Sequence, residues 1–365
     1  MANEKEFVPQ DLDQIDTSDL ERYIGRYVTQ PPQAYYYATY DTIRHFAWAI
    51  DDYNALYTDE KFARETRWGD VIAPPGYLYA HTDNFTVWSR TVGNIPGITH
   101  RDNAGENWEF YLPVYHGDYI LSNARTYDVQ KRMGRRIGPM LIVSSETLFT
   151  NQRGEVVARN VGASFRFNRA SMVERGGMAQ RVTDQEGGVL REVPDDPPPR
   201  PEHWGNSTNL RHDQQRYFEE VTVGDEMPTM NRGMYHPSQG LRRTAATTNP
   251  LRIYPGEAIE VRTRPDGPMS ISYAALGVYR TDWFGHFVTM WAGPNAWLSK
   301  LSYQNREWNL PGYDVIVKGR VTGKRTENGK SLVDLDVWVE NELGMVTNPG
   351  HATVELPSLK PSDES

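Results

Sequence analysis

Asp51-Asp52-Tyr53-Asn54-Ala55-Leu56-Tyr57-Thr58-Asp59 is the stretch on which the fold turns. Before it, Ile43, Phe46, Ala47 and Ile50 recur at three- and four-residue spacing, which predicts a helix with one apolar face. After it comes a charged segment, Glu60 to Glu65, and then Ile72-Ala73-Pro74-Pro75-Gly76. That breaker cluster opens a second helical pattern through Leu78, His81, Phe85, Trp88 and Val92. A polar loop, a carboxylate and a helix N-terminus thus converge, and such a place binds and polarises a carbonyl.

The same order returns downstream. Thr247-Thr248-Asn249-Pro250-Leu251-Arg252 is followed by Gly267-Pro268 and the helix-like run Ile271, Tyr273, Ala274, Ala275, Leu276 and Val278. Gly117-Asp118 opens a β-rich tract, as Gly312 and Asp314 do later. Asn151-Gln152-Arg153-Gly154 is echoed by Asn341-Glu342-Leu343-Gly344. Landmarks in one order at near-equal spacing argue for an internal duplication.

Composition bounds the rest. The chain has 365 residues, enough for two domains of ordinary size. Net charge is −9 and no long basic run occurs, which argues against a nucleic-acid footprint. With no cysteine, disulfides, thiolate zinc sites and a Cys nucleophile are excluded. Met1 to Glu21 is acidic and polar, unlike a signal peptide, and no apolar run reaches the ~20 residues of a membrane helix. A cytoplasmic protein is expected. The 21 Tyr and 10 Trp fit large buried or interfacial surfaces, or a pocket lined for an aromatic or polycyclic group.

Turn signals divide the chain into strand-like runs: Trp108 to Val114, Tyr119 to Val129, Pro139 to Phe149 and Val156 to Phe167. The basic insert Gln130 to Gly138 reads as a solvated hairpin tip, or as a contact for phosphate groups. Residues 176–205, with Gly187-Gly188 and Pro197-Pro198-Pro199, read as a linker between domains at 20–175 and 206–358. The second domain repeats the plan. A strand is expected at Phe218 to Val223, a helix at Gln239 to Thr248 and a long helix from about 268 to 284. Strands follow at Trp297 to Asn309, Tyr313 to Lys324, Ser331 to Glu340 and Gly350 to Glu355. The periodicity alone predicts α+β, with a helix on one face of an antiparallel sheet.

Several of these stretches carry a family resemblance. They are Asp52-Tyr53-Asn54-Ala55-Leu56-Tyr57, Thr66 to Pro75, Phe218 to Asp225, and Gly319-Arg320-Val321-Thr322-Gly323-Lys324. The chain resembles the MaoC-like, (R)-specific enoyl-CoA hydratase/dehydratase superfamily, as a fused double hotdog with a dehydratase-like N-terminal domain. The resemblance implies that each half is a long central helix, near 76–92 and 268–284, packed on a curved antiparallel sheet.

It also implies site residues. In the family an Asp and a His five residues later hold a water, and a backbone N–H at the helix start polarises the thioester. Here Asp52 stands at the Asp position, Asn54 two residues on, and Tyr57 at the His position. Tyrosine is a poor base at neutral pH but hydrogen-bonds well. The helix-start glycine falls on Pro75, which has no N–H, so Gly76 is the expected donor. In the second half the Asp position holds Thr247 and the His position Arg252, with Asn249 between them and Gly267 at the helix start. Arg252 suits a carboxylate or phosphate rather than acid–base work, and it is expected to pair with an anion. His81, one turn into the first central helix, is a further pocket candidate. No metal-ligand spacing appears.

The resemblance implies a hydro-lyase acting on a 2-enoyl or 3-hydroxyacyl thioester, with Asp52 and Tyr57 as catalytic residues. No separate cofactor is implied, since coenzyme A or an acyl carrier is part of the substrate. The alternative is a non-catalytic acyl-binding protein that supports a partner's site. A homodimer, or a pairing with another hotdog subunit, is the expected assembly.

Overall fold

The structure, a computed structural model, describes residues 7–30, 34–82, 95–98, 100–135, 137–175, 191, 193–194, 214–247 and 278–359. The helices are α1 (Ser18–Glu21), α2 (Tyr40–Ala49), α3 (Ala55–Thr58), α4 (Glu60–Arg64), α5 (Arg169–Glu174), α6 (Pro237–Thr247) and α7 (Tyr279–Ala292), with a 3₁₀ helix over Pro75–His81. The strands are β1 (Val28–Gln30), β2 (His100–Phe110), β3 (Leu121–Gly134), β4 (Gly138–Thr150), β5 (Val156–Phe167), β6 (Met230–Met234), β7 (Trp297–Gln304), β8 (Asp314–Glu327), β9 (Lys330–Glu340) and β10 (Val346–Glu355). Among the described residues no helix is long and apolar enough to cross a membrane.

All ten strands form one sheet in the order β1-β3-β4-β5-β2-β7-β10-β9-β8-β6. Outward from the β2–β7 seam, each half runs second strand, fifth, fourth, third, first. The two halves therefore have one topology, and they join through antiparallel pairing from Gly105↔Gln304 to Glu109↔Lys300. This is the double hotdog. Gly105 makes the seam passable. At φ 147 it sits beside a bulge, and a Cβ there would lie 2.2 Å from the Tyr303 carbonyl.

The expected duplication is visible in hydrogen bonds. The Asn151 and Asn341 side chains each accept two backbone N–H groups, from Arg153 and Glu155 and from Leu343 and Met345, all within 3.0–3.1 Å. The glycine closing each turn has nearly the same left-handed φ, 77° at Gly154 and 76° at Gly344. Likewise Gly117 N–H donates to Ala38 and Ala38 N–H to Asp118, while Gly312 donates to Tyr235 and Tyr235 to Tyr313. Ala38 precedes α2 and Tyr235 precedes α6, so the same clasp anchors the first helix of each half. Asn249 lies outside the described residues, so its match to Asn54 has no structural counterpart.

Each helix forms for a local reason. Thr39 and Thr42 make a reciprocal capping box at the start of α2, whose buried face is Ile43, Phe46 and Ala47. In α7 every residue but Thr289 is buried, as expected of a helix wrapped on all sides. Its Phe284, Phe287 and Val288 share one apolar cluster with Phe46 and Tyr77 of the first half and Leu301 and Val317 of the second. The core thus runs across the seam. Fully burying each such side chain is worth about 1.5–3 kcal/mol.

The structure moves several expected elements. Phe218 to Glu220 is a 3₁₀ turn, not a strand, because the Glu220 carboxylate reaches back to accept the Tyr217 N–H at 3.0 Å. The first strand of the sheet proper is His100–Phe110 rather than Trp108 to Val114, since the Gly105 bulge breaks the alternation a sequence would show. The described start of the first central helix is 3₁₀, where Pro74 and Pro75 supply no N–H donors. Residues 83–94 lie outside the description. The second central helix runs on to Ala292, past the expected 284. Most of 176–205 also falls outside the described residues.

Candidate functional site

The loop from Asp51 to Asp59 is built by its own polar side chains. Asn54 Oδ1 accepts the Leu56 N–H at 3.0 Å and caps α3, and Asp59 Oδ1 accepts the Lys61 and Phe62 N–H groups and caps α4. Asp52 is pinned from both sides. Its N–H donates to the Ala47 carbonyl at 2.8 Å, and its Oδ1 accepts the Asn54 N–H at 3.1 Å.

Asp52 is fully buried, and its Oδ2 has no hydrogen-bond partner among the described residues. Burial pushes its pKa from 3.8 to about 7; the Asn54 N–H and Arg232 pull down, and Asp282 pushes up. That places its proton exchange near neutral pH, where a general acid or base is useful. Glu106 makes the contrast. It is another buried carboxylate, but Trp108, Asn103 and Asn160 donate to it at 2.8–3.3 Å, and Tyr79 also donates to it. Glu106 is consumed by structure, whereas Asp52 keeps one oxygen in reserve.

Beside this loop lies a cavity of about 40 Å³. Asn54 and Tyr57 line it on one side, Pro74 and Pro75 on another, and Thr289 and Trp297 close it from the second half. Leu56, Ile72, Leu78, Phe110 and Leu298 make the remainder largely apolar. That volume holds about three waters, at ~10–15 Å³ each. Burial, reinforced by Asp52, pushes the Tyr57 hydroxyl far above its ordinary pKa, so it acts only as a neutral hydrogen-bonding group.

The structure brings some expected residues together and separates others. Asn54 and Tyr57 are in the cavity wall. Asp52 is behind them, buried and outside the wall. Gly76 packs against Asp282, where a Cβ would sit 1.8 Å from Oδ1. His81 is not part of the cavity wall and stacks edge-on against Tyr77. It is held neutral, with its pKa lowered to about 3 mainly by burial; the Tyr35 backbone opposes this weakly from outside hydrogen-bond geometry. Thr247 is buried and donates to the Arg243 carbonyl at 3.1 Å. Asn249, Arg252 and Gly267 lie outside the described residues. Among the described residues no three His, Asp or Glu side chains converge as a metal-ligand set.

Three further residues act around Asp52 that sequence reasoning did not single out, His286, Arg232 and Asp282, with Arg243 paired to the last. His286 Nε2 of α7 is 3.5 Å from Asp52 Oδ1. Arg232 of β6 has Nη1 at 2.9 Å from His286 Nδ1 and donates through Nη2 to the Ile50 carbonyl at 2.6 Å. Arg243 of α6 pairs with Asp282 at 2.5 Å; burial works against its charge, but Asp282 prevails and holds it protonated. One signal was present. Asp282 and His286 are titratable residues four apart in a helix rich in apolar side chains, a spacing that puts both on one face. Arg232 gave none.

Comparison with known proteins agrees with this architecture. Residues 24–160 match the family model described as "FAS1-like, dehydratase domain region". The chain is 25% identical over 190 residues to a probable enoyl-CoA hydratase alpha subunit of Thermomonospora curvata, a match covering 48% of this chain and 56% of that protein. It is 37% identical over 127 residues to a UPF0336 protein of Streptomyces griseus, covering 32% of this chain and 77% of that protein. A UPF0336 protein of Thermobifida fusca is 31% identical over 150 residues, 38% of this chain and 88% of that protein. Among solved structures, a MaoC-like dehydratase superposes with TM-score 0.63 at 17% identity, covering 93% of this chain and 99% of the other. A MaoC domain protein dehydratase of Chloroflexus aurantiacus gives TM-score 0.58 at 12% identity, covering 98% and 100%. The chain belongs with the UPF0336 proteins, and it has the hotdog fold of the MaoC-like dehydratases.

Proposed function

We propose that the protein is a hydro-lyase acting on an acyl thioester, adding water to a 2-enoyl group or removing it from a 3-hydroxyacyl group. The observation that supports this most is Asp52, a buried carboxylate with a pKa of about 7 and one uncommitted oxygen, behind a cavity lined by Asn54 and Tyr57. In hydration, Asp52 takes a proton from water, the hydroxyl bonds to C3 as the C2=C3 π pair shifts towards the thioester, and Asp52 then delivers that proton to C2. Tyr57 donates a hydrogen bond to the water or the thioester oxygen. Asn54 has its carbonyl occupied by Leu56, so its NH₂ is the group it offers the substrate.

The thioester carrier, coenzyme A or an acyl carrier protein, belongs to the substrate in this reading, and no other cofactor enters. Assembly as a homodimer or with a second hotdog subunit is part of the same proposal; light scattering tests it against the 41.8 kDa of one chain. The carrier contact at the basic hairpin between β3 and β4 also belongs to it. A second reading, a non-catalytic acyl-binding subunit, draws on one observation: Tyr57, in the cavity wall at the position where the family has its His, is held neutral and is no base.

Turnover of a panel of 2-enoyl and 3-hydroxyacyl thioesters by wild type, Asp52→Asn and Tyr57→Phe decides between them. Asp52→Asn is expected to lose on the order of a hundredfold or more in rate, the scale of a general acid–base group. Tyr57→Phe loses less, as one hydrogen bond does. Equal turnover by wild type and Asp52→Asn removes Asp52 from the mechanism. Binding without turnover by wild type selects the non-catalytic reading.

A further inference from the structure

We infer that His286 is a positioning residue for Asp52: Arg232 locks its ring in the Nε2–H tautomer, so that it faces the carboxylate as a neutral donor and leaves Asp52 the one proton-carrying group of the three. This rests on the hydro-lyase reading for its use, and on geometry for its existence.

The tautomer follows from donor counting. A guanidinium has only donors. Arg232 Nη1 stands 2.9 Å from His286 Nδ1, so Nδ1 must present its lone pair. The ring's single proton is therefore on Nε2, the nitrogen 3.5 Å from Asp52 Oδ1. That is a contact slightly longer than a hydrogen bond, of the kind that shortens when a site is charged or filled. Oδ1 also holds the Asn54 N–H, which leaves Oδ2 as the oxygen that exchanges a proton.

His286 is poorly placed to be a base itself. A second ring proton would sit on Nδ1 and point at a permanent cation. Burial, with Arg232 adding to it, holds its pKa well below the ordinary imidazole range. Among the described residues, the charged and titratable groups around the pair are Arg232 on β6, Asp282 on α7, Tyr57 on α3, and Asp51 of the loop and Arg242 of α6, which act on Arg232. The residue at the family's own His position, Tyr57, is not basic. The imidazole near Asp52 comes instead from the other half of the molecule, on α7. Asp52 is thus served by both halves.

Ring-¹⁵N and carboxyl-¹³C spectra of the full chain test this without relying on turnover. His286 and Asp52 signals are assigned by their loss in His286→Gln and Asp52→Asn. The expected result is a neutral Nε2–H ring that does not titrate between about pH 5 and 9. Asp52 should titrate alone in that range. His286→Gln keeps a donor and should leave the Asp52 midpoint close to wild type. His286→Phe removes the donor and should raise the midpoint by on the order of one pH unit. Arg232→Met should allow the ring to titrate. A His286 ring protonated on Nδ1, an ordinary His286 titration in wild type, or an Asp52 midpoint unmoved in a folded His286→Phe protein overturns the inference. Absence of turnover with these spectra intact defeats the hydro-lyase reading and leaves the lock standing.

Discussion

Asp51 accepts both terminal nitrogens of Arg242, at 2.6 and 3.0 Å, and so ties the loop after α2 in the first half to α6 in the second. Asp51 has a left-handed φ of 59°, a conformation few non-glycine residues adopt. The strain is tolerable because the bidentate partner fixes the side chain. The Asp51 carboxylate is only 3% exposed and the Arg242 side chain 27%. Arg242→Met leaves a buried carboxylate without this partner. After a discount for solvent screening on the arginine side, the expected loss is about 1–3 kcal/mol, read from the midpoint of urea unfolding. No change in midpoint would mean the pair is ornamental to the fold.

Asp52→Asn should have a stability effect that grows with pH. Burial raises Asp52 from 3.8 to about 7, so the folded protein keeps a proton that the unfolded chain has released. Unfolding between those values therefore releases a proton. The stability contribution is full below pH 3.8 and is lost as pH rises through about 7. At 1.36 kcal/mol per pKa unit, the swing is on the order of 4 kcal/mol. The Asn variant has no such loss. Relative to wild type its melting temperature should be near level at about pH 4 and higher at about pH 8. A relative melting temperature that falls with rising pH would show instead that the ionised carboxylate is well stabilised in the fold.

Much of the architecture was legible because repeats and turns are local. The Asn-x-x-Gly turns at 151–154 and 341–344 need only four residues each, and both close as the pattern predicts. The register of Gly117-Asp118 was read one residue off in the second half, where Tyr313, not Asp314, makes the equivalent bond. The site was less legible because its partners are distant in sequence. Asp52 meets Arg232 and His286 only when the two halves of the sheet join at the β2–β7 seam, and a window along the chain carries no trace of that meeting. His81 shows the converse. Its place on an apolar helical pattern suggested a pocket, but that face packs into the core.

His81 should set part of the acid stability. Its pKa falls from 6.5 to about 3 because burial excludes the charged form. The folded value is depressed, so this contribution is complete above pH 6.5 and is lost as pH falls towards 3. Each pH unit in that window costs about 1.4 kcal/mol. His81→Phe preserves an edge-on ring contact with Tyr77 and removes the titration. The variant is expected to unfold at a lower pH than wild type, with little gain at about pH 8. His286 shows the same trend and is present in both proteins, so the difference isolates His81. Identical acid-unfolding midpoints would mean that His81 is already protonated in the folded state.

Gly76→Ala tests how tightly the two halves meet at the start of the first central helix. Gly76 is buried, and a Cβ on it would lie 1.8 Å from Asp282 Oδ1 and 3.3 Å from Phe46 Cζ. The first distance is far inside van der Waals contact, so Asp282 has to move. Asp282 is not free to do so, because its other oxygen holds Arg243 at 2.5 Å. That arginine is itself buried, with its charge over the Tyr79 and Tyr279 rings. One added methyl therefore displaces an ion pair as well as a side chain. Overpacking alone costs about 1–3 kcal/mol, and weakening the buried pair adds to it. The expected loss is at the upper end of that range or beyond, measured by denaturant unfolding. Asp282→Ala combined with Gly76→Ala should be less damaging than the sum of the two singles, since truncating Asp282 removes the atoms that clash. Strict additivity in this cycle, with a Gly76→Ala loss under about 0.5 kcal/mol, would show that the two halves are packed more loosely here than the 1.8 Å approach requires.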